Sequence, residues 1–227
     1  MRQSNLRLTV LFEDNHLLVV NKPAGIATMG TAAGTTSMVT LAKAYLKQKH
    51  KKPGNVYLGV VSRLDSLVSG VLVFARTSKA AARLSEQFRE RETKKIYWAI
   101  VAGMPEPMQG ELIHWMSKDE SHQRMVARSK KSADAQEARL KYRALQEVRH
   151  GTLVEVELLT GRKHQIRVQL AAAGHSIFGD RKYGSEIPFP AGIALHARLL
   201  TIEHPTLKKP LSFNAELPKA WEKWATD

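Results

Sequence analysis

The feature that most constrains this chain is a series of short apolar segments rich in Val, Ile and Leu, set between polar turns at uneven spacing. Leu8 to Phe12 and His16 to Asn21 have strand character and are divided by the turn-forming Glu13-Asp14-Asn15, and Lys22-Pro23-Ala24-Gly25 ends the second of them. Tyr57 to Val61, Val71 to Ala75, Lys94 to Val101, Glu137 to Leu145, Thr152 to Leu159, Ala194 to Ile202 and Leu211 to Ala215 read in the same way. Helical spacing is confined to a few places. Thr36 to Lys49 sets Met38, Leu41, Ala42, Tyr45 and Leu46 on one face. Ser78 is placed to cap a helix through about Glu90, with Ala81, Leu84 and Phe88 at helical spacing. A short helix runs from about Lys163 to Ala173, where Gly174 stops it. Strands dominate and helices interrupt them irregularly. This predicts an α+β fold with a mixed, mostly antiparallel sheet and flanking helices, and argues against a regular strand–helix alternation.

A chain of 227 residues with 43% hydrophobic and 25% charged side chains can close one sizeable core, so a single domain over residues 1–227 is expected. Met104 to Lys131 carries Pro105, Pro107 and a polar stretch, and reads as an insertion or exposed hairpin within that domain. The 35 Lys and Arg outnumber the 21 Asp and Glu to give a formal charge of +14, a field that favours a polyanion and makes nucleic acid the leading partner class. Without cysteine the chain has neither a disulfide framework nor a thiolate metal site, which suits a reducing compartment and predicts a cytoplasmic location. The opening Met1-Arg2-Gln3-Ser4-Asn5-Leu6-Arg7 lacks the apolar run of a signal peptide, and no apolar stretch reaches the roughly 18 to 20 residues that span a bilayer. No membrane association is expected, and the lack of a long apolar helical seam makes a monomer the simplest expectation.

Two segments have the residues for chemistry. Arg63-Leu64-Asp65 lies in the polar stretch Ser62 to Gly70 between two apolar strands; by itself, an acid close to a base in that setting is an ordinary ion-pair arrangement. In Thr160-Gly161-Arg162-Lys163-His164-Gln165-Ile166-Arg167 a strand ends at a Gly turn and a helix begins with several donors near its positive end. That arrangement suits a phosphate or carboxylate, and equally a solvated basic cluster. A metal site is not expected: the nine His include no His-Glu-x-x-His pattern, and the spacings His114/His122 and His196/His204 are not recurrent local ligand spacings. Gly30 to Gly34 lacks the lysine and the glycines of a phosphate-binding loop.

Read in order, the motifs do more than they do singly. Val10 to Gly25, Ser62-Arg63-Leu64-Asp65 with Ser69 to Thr77, Lys94 to Val101, Gly161 to Arg167 with Gly174-His175, Gly179-Asp180 and Tyr183-Gly184, and finally Leu195-His196-Ala197 with His204-Pro205 resemble the RluA-type family of RNA pseudouridine synthases. The resemblance covers about residues 8 to 217. It implies the fold of a pseudouridine synthase catalytic domain and an enzyme that isomerises uridines of structured RNA, tRNA or ribosomal RNA, with no cofactor and no metal. It makes Asp65 the essential carboxylate, acting at the ribose C1′ or in forming a glycal intermediate. Arg167 is its partner charge, and Tyr97 stacks on the base and serves proton transfer. On the substrate side it places Arg63, which contacts the backbone or fills the space left by a flipped nucleotide, Ile166 as an apolar wall for the uracil, and Arg162, His164 and Gln165 of the third motif.

The chain departs from the family's pattern at Ser62, where His is usual, and at Ser66-Leu67-Val68, where the basic group after the aspartate is missing. About seven residues precede the first motif, so a separate N-terminal RNA-binding domain of the S4 type is not expected. Recognition then falls to the catalytic domain, with Lys47, Lys49, Lys51, Lys52, Arg124, Arg128, Lys130 and Lys131 as candidate contacts. The altered residues also keep open a second reading, an RNA-binding protein that retains the fold without catalysis.

Overall fold

The computed structural model describes residues 7–30 and 35–225. The chain's opening through Leu6, and residues 31–34 of the Gly30 to Gly34 segment, lie outside the described residues. In chain order the first elements are β1 (Thr9–Glu13), β2 (Leu17–Lys22), α1 (Met38–Lys49), β3 (Gly59–Val60), β4 (Ser69–Ala75) and α2 (Ser78–Glu90). Then follow β5 (Lys94–Ala102), β6 (Gln109–Asp119), β7 (Arg124–Arg128), β8 (Gln136–Val148), β9 (Gly151–Leu158), α3 (Gln165–Ala172), β10 (Leu195–Glu203), β11 (Pro210–Asn214) and α4 (Glu222–Ala225). The chain divides into two compact units, residues 1–93 with 197–216, and residues 94–196 with 217–227.

In the first unit the strands run β1-β2-β4-β10, with β3 on β4 and β11 on β10. The β1/β2, β2/β4, β3/β4 and β10/β11 ladders are antiparallel. β4 is buried along its whole length, so both of its faces must be covered. Alternation assigns the faces. Val71, Val73 and Ala75 pack with Leu17, Val19, Phe213 and the α2 residues Ala80 and Leu84, while Leu72 and Phe74 pack with Leu18, Val20 and the α1 residues Met38, Ala42 and Leu46. Burying each such large aliphatic or aromatic side chain stabilises by about 1.5 to 3 kcal/mol. α1 opens on a reciprocal cap in which the Ser37 hydroxyl accepts from the Thr40 N–H at 3.2 Å and the Thr40 hydroxyl accepts from the Ser37 N–H at 2.8 Å. The cap of α2 is Thr77, not Ser78: the Thr77 hydroxyl accepts from the Ala80 N–H, and Ser78 is the first helical residue. Of Tyr57 to Val61 only Gly59 and Val60 pair with β4, and Tyr57 is half exposed. The β1–β2 turn is locked by Asp14, whose carboxylate takes the N–H groups of His16 and Leu17 and the Nε2 of buried His204 at 2.7 Å. His204 Nδ1 accepts from the Thr206 and Leu207 N–H groups, which fixes the proton on Nε2.

In the second unit the order is β5-β9-β8-β6-β7, with all of its ladders antiparallel. The stretch expected as an insertion or hairpin is the β6–β7 hairpin, and β6 also pairs with β8, so it extends the sheet. α3 lies on one sheet face, with Val168 against Met116 and Ala138. It begins at Gln165 and not at Lys163, because His164 takes a left-handed conformation (φ 56°) that cannot continue a helix. Six consecutive α3 residues, Gln165 to Leu170, are buried, so this short helix has no solvent stripe there.

Candidate active site

Asp65 sits on the irregular stretch between β3 and β4, half-buried, with Arg63 exposed beside it. What distinguishes this loop is how firmly its backbone is tied to the residues after β2. The buried Thr28 hydroxyl donates to the Leu64 carbonyl at 2.9 Å and accepts from the Leu64 N–H at 3.2 Å. The Ser66 carbonyl accepts from the Gly25 N–H at 2.7 Å, and the Asp65 carbonyl accepts from the Val68 N–H at 3.1 Å. Both neighbours of Asp65 are therefore pinned through their main chains. The loop enters β4 through Gly70 (φ 115°), where any Cβ would overlap the backbone of Ala197 on β10, so only glycine fits.

Lys22 completes this arrangement. Alternation along β2, which is covered on both faces, puts it on the side of Leu18 and Val20, and it is fully buried. Its ammonium donates to the carbonyls of Pro23 (2.9 Å), Ile26 (2.7 Å) and Ser66 (3.2 Å), which satisfies all three of its protons. Burial pushes its pKa down to about 7, and the Asp65 carboxylate acts in the opposite direction by favouring the charged form. A carboxylate on a pinned loop, with a buried ammonium close enough to act on it, is a preorganised anion suited to nucleophilic or proton-transfer chemistry.

In the second unit Tyr97 stands on β5 opposite Val156, half-buried. Following the pairs Tyr97–Val156–Tyr142–Gly110 across the sheet puts it on the face that carries α3, since the side chains of Met116 and Ala138 on that same face pack with Val168 of α3. On α3, Arg167 is 4% exposed and its guanidinium meets Asp180 along one edge, Nε to Oδ2 at 2.6 Å and Nη2 to Oδ1 at 2.8 Å. The Tyr183 ring lies over the same guanidinium at 5.0 Å, and the Tyr183 hydroxyl shares a 2.7 Å hydrogen bond with His164 Nδ1. Ile166 is buried. Gln165 spends its amide inside the fold, accepting from the Thr160 hydroxyl and the Arg162 N–H and donating to Arg139 O and Gln169 Oε1. Arg162 donates from Nε to the Glu137 carbonyl. The donors expected to offer themselves to an anion at this helix start are in large part turned inward.

A family model described as RNA pseudouridylate synthase matches residues 16–172. The chain belongs to this family. Its relatives include the uncharacterized RNA pseudouridine synthase YhcT of Bacillus subtilis, 37% identical over 93% of this chain and 69% of the relative. The dual-specificity RNA pseudouridine synthase RluA of Escherichia coli is 34% identical over 92% of both chains. Among solved structures, human RNA pseudouridylate synthase domain containing 4 superimposes with a TM-score of 0.79 at 27% identity, covering 95% of this chain and 92% of that one. The α+β fold is thus that of a pseudouridine synthase domain, and the chain is an isomerase that converts uridine to pseudouridine in RNA.

Membership sharpens what the sequence motifs left without a role. Lys22, Thr28, Asp180 and Tyr183 received none, although three of them fall inside the quoted motifs. The signal for Lys22 was its place in the strand alternation, a cation at a core-facing position. For Asp180 it was an acid one glycine after the apolar Ile177-Phe178, at 1% exposure. Of the candidate RNA contacts, Lys47, Lys51, Lys52, Arg124, Arg128, Lys130 and Lys131 are exposed. Lys49 pairs with Glu13 at 2.8 Å, and Lys131 stands over the Trp115 ring. Among the described residues no three His, Cys, Asp or Glu side chains group as a metal site, and no helix is long and apolar enough to cross a membrane.

Proposed function

We propose that this enzyme isomerises one or a few uridines of structured tRNA or ribosomal RNA in the cytoplasm, as a single catalytic domain acting without cofactor, through Asp65 assisted by Tyr97 and Arg167. The observation that carries the assignment of Asp65 is its loop: Thr28, Gly25 and Lys22 hold the residues on either side of it, leaving the carboxylate presented from a fixed backbone. Such fixing is what a nucleophile needs, because a displacement of about 1 Å costs on the order of 100-fold in rate.

The reaction breaks the C1′–N1 bond, turns the uracil while it is held, joins C1′ to C5, and removes the C5 proton. Asp65 drives the first step, at C1′ or by way of a glycal. Tyr97 stacks on the base and serves proton transfer, and Arg167 balances the charge of Asp65. Arg63, exposed beside Asp65, contacts the RNA backbone or occupies the space of the flipped nucleotide, and Ile166 walls the uracil. Arg162, His164 and Gln165 serve the substrate indirectly, by holding the start of α3. Ribosomal RNA is supported as a target by relatives such as the ribosomal large subunit pseudouridine synthase D of Zymomonas mobilis, 34% identical over 95% of this chain and 71% of the relative.

Mapping pseudouridine across tRNA and ribosomal RNA from cells lacking the gene tests this reading. One or a few positions are expected to revert to uridine and to be restored by the wild-type gene but not by Asp65→Asn. A full set of pseudouridines in the deletion strain, or restoration by Asp65→Asn, would contradict it.

A further inference from the structure

Arg167 and Asp180 form a buried ion pair, at 4% and 1% exposure, on the face of the second unit's sheet that also carries Tyr97. Such a pair is poor evidence of a stabilising role, since desolvating two charges offsets most of their attraction. Its geometry is that of a clamp. Asp180 takes two in-plane hydrogen bonds from the Nε and Nη2 edge, which fixes the guanidinium within its plane. The Tyr183 ring covers one face of that plane at 5.0 Å, which fixes its tilt.

Both arms of the clamp are themselves held. The Asp180 carbonyl accepts from the N–H groups of Tyr183 (3.0 Å) and Ser185 (3.1 Å), and the Asp180 N–H donates to Ile177 O (3.0 Å). The Tyr183 hydroxyl bonds to His164 and accepts from the Met125 N–H at 3.3 Å, and its ring meets the His164 ring edge-on at 5.7 Å. With the Nε and Nη2 edge committed to Asp180, the direction of Nη1 is set by this clamp and not by the side chain's own rotamers.

We propose that Asp180 and Tyr183 are positioning residues for catalysis, an acid and an aromatic face that together hold the guanidinium of Arg167 in the orientation its catalytic role needs. The inference rests on the reading that Arg167 serves Asp65. It gives a purpose to Gly179-Asp180 and Tyr183-Gly184, motif residues the chemistry does not otherwise use.

The test is a double-mutant cycle on the single-turnover rate of pseudouridine formation in total cellular RNA, with RNA affinity and thermal midpoint measured for every variant. Asp180→Asn, which keeps the shape and one acceptor, is expected to lower the rate by about 100-fold with RNA affinity within about threefold of wild type. In an Arg167→Lys background the same change is expected to have no further effect, because Asp180 acts only through Arg167. Tyr183→Phe, which keeps the ring over the guanidinium but loses the hydroxyl's bonds to His164 and Met125, is expected to lose less rate than Tyr183→Leu, both at unchanged RNA affinity; this pair carries the test if Asp180→Asn does not fold. Asp180→Asn at the wild-type rate, equal rates for Tyr183→Phe and Tyr183→Leu, or effects of Asp180→Asn and Arg167→Lys that multiply independently would overturn the positioning role. A wild-type protein that forms no pseudouridine would instead overturn the activity on which it rests.

Discussion

At the scale of single residues, the loop that carries Asp65 is held in place by buried polar groups from the residues around it. Lys22 is the clearest case, because its ammonium joins the loop after β2 to Ser66 through three carbonyls while remaining fully buried. Its pKa falls from its ordinary 10.5 to about 7, so between these values the unfolded chain holds a proton that the folded chain has released. By linkage, stability then rises with pH across that window, whereas below about 7 both states are protonated and the folded chain bears the full penalty of a buried charge. Urea unfolding of wild type and Lys22→Met from pH 6 to 10 checks this: the wild type is expected to gain stability relative to the variant as pH rises. A constant difference would mean that Lys22 keeps its ordinary affinity for the proton. Glu13 behaves in the opposite sense. Burial works against its charge, but hydrogen bonds from Lys49, His50 and Tyr45 prevail and hold its pKa at about 2, so its contribution is present above its ordinary 4.5 and is lost as pH falls toward 2.

At the scale of elements, α3 shows both what sequence makes legible and what it does not. The strands were readable because apolar residues mark buried positions in the sequence, here as runs bounded by polar turns, as in Leu17–Lys22 and Lys94–Ala102. Helix α1 was readable for the same reason, with Met38, Ala42 and Leu46 on its buried face. The start of α3 was not, because its signal is a left-handed His164 and a glutamine turned inward, neither of which has a periodic signature. Arg167 could be singled out by its motif, but its clamp depends on a carboxylate 13 residues further on, which no local pattern joins to it. Beneath α3, the fully buried Gln169 donates to Leu112 O and Ala138 O, each at 3.1 Å, and bonds His114 at 3.1 Å. Gln169→Leu takes the amide donor from these partners, of which Ala138 is buried and Leu112 and His114 half-buried, and is expected to cost about 1 to 3 kcal/mol, measured as a lowered urea midpoint at unchanged slope. A midpoint equal to that of wild type would show that α3 is held by its apolar contacts alone.

For the whole molecule, charge and catalytic residues answer different questions. The +14 formal charge gives a polyanion-attracting field, and Lys47, Lys51, Lys52, Arg124, Arg128, Lys130 and Lys131 are among the cations exposed to solvent. Affinity for RNA is therefore expected to fall steeply with salt, by about 1,000-fold between roughly 50 and 200 mM if six or more phosphates are contacted. A filter-binding series in which affinity hardly changes would place recognition in base contacts instead. Chemistry, by contrast, is proposed to rest on one carboxylate, Asp65, whose neighbours are pinned by Thr28, Gly25 and Lys22. The measurement that tests this most directly is release of tritium from RNA carrying C5-tritiated uridine, by wild type and by Asp65→Asn, on total cellular RNA. Release by wild type, with none above background from an Asp65→Asn variant that still binds RNA, is the predicted result; release by both proteins, or by neither, would contradict it.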